Sequence, residues 1–208
     1  MCATKNDHLT TEEAILAAAR RVFVAKGLAG ARMQDIANDA GINKALVHYY
    51  YRSKERLFER VFREELNRMH TNMSAILGAD IPLFEKITRV IERDIEWLLE
   101  FPQLPLFILN EMSHNTDENF DPIRQMRTHK ALFYETFAAQ VQREVAQGNI
   151  RPISPEQLMM HIISMTMFPF IAAPIFKIIM DKTDDEYRNM MLARKREITQ
   201  TLLAALKP

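Results

Sequence analysis

The sequence predicts an all-α protein of about nine helices. Apolar residues recur at helical spacing through most of the 208 residues, hydrophobic residues make up 48% of the chain, and glycine is scarce at 5. That combination describes a helical protein with a sizeable core and excludes a disordered or all-β one. Net charge is zero, but residues 1–60 hold 10 Lys or Arg against 7 Asp or Glu, a net +3, which leaves −3 on the rest. A modestly basic head on a mildly acidic body is compatible with local phosphate contact. Cys2 is the only cysteine, so no disulfide can form within one chain, and the first thirty residues lack the apolar core of a signal peptide. The expectation is a cytoplasmic protein in a reducing compartment.

The elements follow in order. Residues 1–8 read as a lead-in. Thr10-x-x-Glu13 is a capping box, and Ile15, Ala18, Ala19, Val22 and Phe23 keep helical spacing up to Gly27, which ends the helix as a left-handed cap. Arg20 and Arg21 read as solvated. Met33 to Lys54, MQDIANDAGINKALVHYYYRSK, reads as two short helices around a tight turn. Ile36, Ala37 and Ala40 form a small apolar face, Gly41 supplies the positive φ of the turn, and Ile42 plugs the corner. Val47 and Tyr50 fall on the inner side of the second helix, and Tyr50 and Tyr51 read as core. This is the sequence form of a helix-turn-helix, whose second helix enters the DNA major groove.

Asn43 is the N-cap of that second helix, and Lys44, Ala45, Leu46, His48 and Tyr49 fall on faces free of the core. Lys44 can reach a guanine edge or a phosphate, Ala45 and Leu46 a thymine methyl, and His48 and Tyr49 bases or backbone. Arg32 and Gln34 stand at the amino end of the first short helix, where free N–H groups and the helix dipole suit a phosphate. Ser53 caps the next helix. Lys54, in the first turn of that helix, opposes its dipole, and a neighbouring phosphate would offset this.

From Leu9 to Phe62 the chain resembles the amino-terminal DNA-binding domain of the TetR family of bacterial transcriptional regulators. The resemblance rests on the helix ending at Gly27, the turn glycine Gly41, the run Asn43-Lys44-Ala45-Leu46-Val47-His48-Tyr49-Tyr50-Tyr51 and the close Ser53-Lys54-Glu55. It implies that the start of the first short helix and Lys54 touch the DNA backbone and that the aromatic pair at His48 and Tyr49 binds phosphates. The chain departs from the family pattern at Ala45, where glycine is usual, at Ala31-Arg32, where Thr or Ser opens the helix, and at His48, where Tyr is more usual.

The domain boundary is placed at residue 53, with 1–53 as the helix-turn-helix domain and 54–208 as a helical body. A long helix runs from Lys54 to about Leu77, with Phe58, Phe62, Leu66, Met69, Met73 and Ile76 as one stripe. Phe84, Ile87, Ile91, Ile95 and Leu98 stripe the next, which ends near Phe101-Pro102. A shorter helix over Leu104–Ser113, a polar loop from His114 to Pro122 and a helix from Pro122 to Gln147 follow. Ser154-Pro155 opens the most apolar stretch, Leu158 to Met180, whose 23 residues suit a buried helix at a subunit interface better than a membrane span. Asp184 starts a last helix with Tyr187, Met191, Ile198, Leu202 and Leu206 inward.

The resemblance implies that the body binds a small-molecule effector and that its two C-terminal helices, about 154–180 and 184–206, pair with the partner's two to form a homodimer. The adaptable and aromatic side chains Met69, Met73, Trp97, Phe107, Phe133, Phe137 and Met165 are the candidate walls of an apolar effector pocket, with Asn110, His114 and His161 as orienting groups. The chain thus reads as a dimeric, ligand-responsive repressor on a palindromic operator, released by a largely apolar effector. The rival reading is a helical-bundle carrier or metal-dependent enzyme. Glu111-x-x-His114 is the spacing of di-iron bundles, but no second copy occurs, and there is no HExxH and no glycine-rich phosphate loop. No enzyme activity, cofactor or metal is therefore expected.

Overall fold

Local signals in the chain place most helix ends. The computed structural model describes residues 10–106, 109 and 134–208, apart from the side chains of Leu66 and His70. The chain divides into two units, Met1–Asn67 and Arg68–Pro208. Only helices occur among the described residues.

The first unit holds α1 (Thr11–Gly30), α2 (Met33–Ala40), α3 (Lys44–Tyr51) and the first part of α4 (Lys54–Gly78). The capping box forms as the sequence predicts: the Thr10 hydroxyl accepts from the Glu13 N–H, and the Glu13 carboxylate accepts from the Thr10 N–H at 2.7 Å. Ile15, Ala18, Ala19, Val22 and Phe23 all face inward. Gly27 has the anticipated positive φ of 65°, but its ψ of 175° is extended, and the chain resumes helical turns as far as Gly30. It is thus a kink near the end of α1, not its cap. Gly41 sits in the left-handed region at φ 68°, and its N–H closes α2 onto the Asn38 carbonyl.

Two polar links hold α2 to α1, and an ion pair and an aromatic contact hold α1 to α4. Arg21 donates to Asp39 at 2.6 Å and Lys26 to Asp35 at 2.8 Å, both from α1 to α2. Arg20 pairs at 2.9 Å with Glu65, which is buried on α4. Arg20, half-buried, is a structural tie beyond the solvated reading, whereas Arg21 is exposed as that reading has it and still pairs with Asp39; their acidic partners lie 45 and 18 residues away, beyond any helical pattern. Phe23 meets Phe58 edge-on with ring centres 5.0 Å apart.

The second unit is organised around α5 (Leu83–Glu100), against which α6 (Thr136–Ala146), α7 (Pro155–Ile171) and α9 (Asp184–Leu206) pack, with the short α8 (Ala173–Ile179) beside α7. Ile87, Ile91, Ile95 and Leu98 are fully buried, and the predicted positions Tyr187, Met191, Ile198, Leu202 and Leu206 of α9 are buried too. Lys86 is buried among them. Its ammonium donates to the Leu77 carbonyl at 2.8 Å, filling one of the acceptors left open at the end of α4. Burial pushes its pKa down. Asp94 of α5 is also turned inward and accepts from the Thr166 hydroxyl of α7 at 2.9 Å.

The apolar stretch from Leu158 to Met180 is not one helix. It breaks between α7 and α8, which bend by 71°. The break falls at Ala172, where Pro174 in the first turn of α8 has no N–H to give the Phe170 carbonyl. Pro169 lies one turn earlier, inside α7. Its ring nitrogen carries no hydrogen, so the Met165 carbonyl one turn earlier loses its helical donor. Arg194 of α9 supplies a replacement, its Nε donating to Met165 O at 3.2 Å, and the Tyr187 hydroxyl donates to Pro169 O at 2.7 Å. Among the described residues no single helix is long and apolar enough to cross a membrane. The expected helix over Leu104–Ser113 is described only at its start, and the loop and the first half of the Pro122–Gln147 helix lie outside the described residues.

Candidate nucleic-acid interface

The candidate interface is built from α3 upward. Asn43, in extended conformation, caps the helix through its side-chain oxygen, which accepts from the Ala45 N–H at 2.9 Å. Val47 and Tyr51, one turn apart, are buried and fasten α3 to the rest of the unit. The Tyr51 hydroxyl reaches α1 and donates to Glu12 at 3.2 Å; burial, and then the negative charge of Glu12, raise the phenol above its ordinary range.

With that face committed, Lys44, Ala45, Leu46, His48 and Tyr49 are all exposed, and Tyr49 most of all at 79%. Tyr50 is a correction. It is 42% exposed, because the inward stripe steps by four from Val47 to Tyr51 and leaves position 50 at the edge. Its ring lies edge-on to Tyr49, 5.6 Å between centres. Tyr50 therefore belongs with the outward-facing aromatics; helical spacing allows either step from Val47, three to Tyr50 or four to Tyr51, so the sequence carries no signal that chooses between them.

The flanking positions also face outward. Arg32 is the exposed N-cap residue of α2 and makes no side-chain cap bond. Gln34 is exposed too, but its amide donates along α2 to Asn38 at 2.8 Å. Ser53 accepts from the Arg56 N–H as the cap of α4, and Lys54 is half-buried in its first turn. Asp35 and Asp39, the acidic side chains of α2, are both neutralised from α1, and the hydrogen bond from Lys26 holds the Asp35 carboxyl below its usual range. The open groove of about 550 Å³ between α1 and α2 is lined by these same four charged groups, which satisfy one another.

The candidate effector residues lie in the second unit. Phe137 and Trp97 are buried, and the Trp97 indole N–H has no hydrogen-bond partner among the described residues. Met69, Met73 and Met165 are half-buried. His161 is exposed, one residue before the buried Ile162, so it faces away from the interior of the unit. Phe107, Asn110, His114 and Phe133 lie outside the described residues, as does the Glu111–His114 pair. Among the described residues no three His, Cys, Asp or Glu side chains gather to hold a metal ion.

The profile described as "Bacterial regulatory proteins, tetR family" matches residues 15–61, which span α1 to α3 and the start of α4. The HTH-type transcriptional regulator RutR of Escherichia coli (strain K12) is 30% identical over 74% of this chain and 71% of its own length. Among solved structures, a TetR transcription regulator from Haloarcula marismortui superposes with a TM-score of 0.62 at 14% identity, covering 94% of this chain and 96% of that one. FadR of Bacillus subtilis, solved in complex with stearoyl-CoA, does so at 0.57 and 15% identity, covering 93% and 98%.

Proposed function

The chain belongs to the tetR family of bacterial regulatory proteins and is a DNA-binding transcriptional regulator, not an enzyme; from that premise we propose that it acts as a homodimeric repressor released by a largely apolar effector. The observation that carries the DNA reading is the outward face of α3. Lys44, Ala45, Leu46, His48 and Tyr49 take no part in the core, while Val47 and Tyr51 hold the helix rigidly from behind. A helix fixed on one side and polar, basic and aromatic on the other has the form of a recognition helix.

Dimerisation is supported by the apolar surface of α7 and α8. Met160, Phe168, Ile175, Ile178 and Ile179 are exposed in a single copy, Ile178 by 81% and Ile179 by 72%. Exposed apolar side chains in this number call for a partner, and a second copy related by two-fold symmetry would bring two α3 helices to an inverted repeat. With the stretch broken at Ala172, the proposed interface comprises α7, α8 and α9, not two unbroken helices.

The effector site is proposed around Trp97, Phe137, Met69, Met73 and Met165. FadR, a protein of the same fold, holds stearoyl-CoA, and an apolar ligand with one polar group suits aromatic and methionine walls beside a buried indole N–H that has no partner among the described residues. Coupling would follow linkage: an effector favouring a body conformation poor for DNA binding weakens the operator complex, and DNA weakens effector binding by the same factor. The α4 helix, which carries residues of both units, is the proposed coupling element. The test is selection of bound duplexes from a random library by the purified protein. Enrichment of an inverted repeat is expected; enrichment of a single, unrepeated half-site would refute the dimeric reading.

A further inference from the structure

The end of α3 contains a strained turn. Arg52 has φ 52° and ψ −40°, a region that non-glycine residues rarely occupy. Its N–H donates to the His48 carbonyl at 2.8 Å, and the next N–H, that of Ser53, folds back to the Tyr51 carbonyl. The result is a three-residue γ-turn centred on Arg52, of the uncommon positive-φ kind. This turn points the Arg52 carbonyl back along the exposed side of α3, where it meets the imidazole of His48: Nδ1 lies 3.3 Å from Arg52 O.

A carbonyl oxygen can only accept, so in the neutral ring the hydrogen sits on Nδ1. Nε2 is then left with a lone pair and no hydrogen. His48 is exposed and stands one helical turn beyond Lys44 on the same stripe. In the major groove, the hydrogen-bond donors are the adenine N6 and cytosine N4 amino groups; guanine N7 and O6 and thymine O4 accept, as do phosphate oxygens. A bare Nε2 therefore has no partner on a phosphate, on guanine or on thymine. We propose that His48 reads a base edge as a hydrogen-bond acceptor of fixed tautomer, set by the Arg52 turn, and selects an adenine or cytosine amino group. This rests on the operator-reading role proposed for α3.

The two possible amide replacements separate the two ring nitrogens. The carboxamide of Gln reaches the place of Nε2, and its oxygen can accept there. The carboxamide of Asn reaches only the place of Nδ1 and can still bond Arg52. The full chain and its His48→Gln, His48→Asn and His48→Ala variants are each used to select duplexes from a random-sequence library at mildly alkaline pH, with salt titrations on the winners. Because His48 is exposed, the variants are expected to melt with the wild type. Wild type and His48→Gln should enrich A or C at one symmetry-related position, and His48→Asn and His48→Ala should lose that preference by roughly five-fold, with the salt dependence unchanged. An alanine variant that keeps every base preference but shows a shallower salt dependence would make His48 a phosphate contact and overturn the proposal, as would one unchanged in both respects. If the wild type enriches no sequence at all, the operator-reading role of α3 itself falls and His48 with it, an outcome visible before any variant is compared.

Discussion

Asp94 offers a sharp test of how the second unit is held together. Its carboxyl is buried on α5, with the Thr166 hydroxyl of α7 as its hydrogen-bond partner. Burial raises its pKa from 3.8 to about 6, and the hydrogen bond from Thr166 opposes the rise without cancelling it. The folded chain thus holds this proton more tightly than the unfolded chain does. The stability contributed by protonated Asp94 is fully present below about pH 4, the unfolded value, and is lost as pH rises through about 6. The gap between the two values corresponds to at most about 3 kcal/mol. Asp94→Asn keeps the shape and a partner for Thr166 but never ionises. Urea unfolding at fixed protein concentration should find this variant close to wild type near pH 4 and more stable by about 2–3 kcal/mol near pH 8. A difference between variant and wild type that stays flat across this range would refute the reasoning, since the carboxylate would then have to be solvated in the folded chain.

Three further outcomes follow from the geometry. Lys44→Ala and Tyr49→Ala remove exposed side chains from α3, so each should weaken DNA binding several-fold while shifting stability by less than about 0.5 kcal/mol, and Lys44→Ala should lower the salt slope by about one; comparison of binding isotherms with melting curves checks both. Gly41→Ala meets nothing within 4 Å of the added Cβ, so its cost is that of φ 68° alone, about 1–2 kcal/mol by denaturant unfolding. Ile178→Asp, on a side chain 81% exposed in one copy, should leave folding intact yet shift sedimentation from dimer to monomer; an unchanged dimer would place the interface elsewhere.

The residues that the sequence alone determined are those whose cause is local. A capping box at Thr10 and Glu13, the Asn43 cap, the positive φ of Gly41, Pro155 after Ser154 and the inward stripe of α9 each depend on neighbours within a turn or two, and each stands where periodicity and cap chemistry put it. The outward face of α3 was legible for the same reason, except for Tyr50, where a three-residue and a four-residue step compete and only packing against α1 chose Tyr51. What only the tertiary structure decided is the fate of polar groups whose partners are distant in the chain. Arg20 and Glu65, Lys86 and the end of α4, and Asp94 and Thr166, 72 residues apart, carry no periodic signature. Pro169, inside α7, belongs with them. Proline removes one N–H wherever it stands, but α7 can carry it because Arg194 and Tyr187 arrive from α9 to donate to the Met165 and Pro169 carbonyls. Helix ends are set by local hydrogen bonds; which buried polar groups are tolerated is set by the donors and acceptors that folding brings to them.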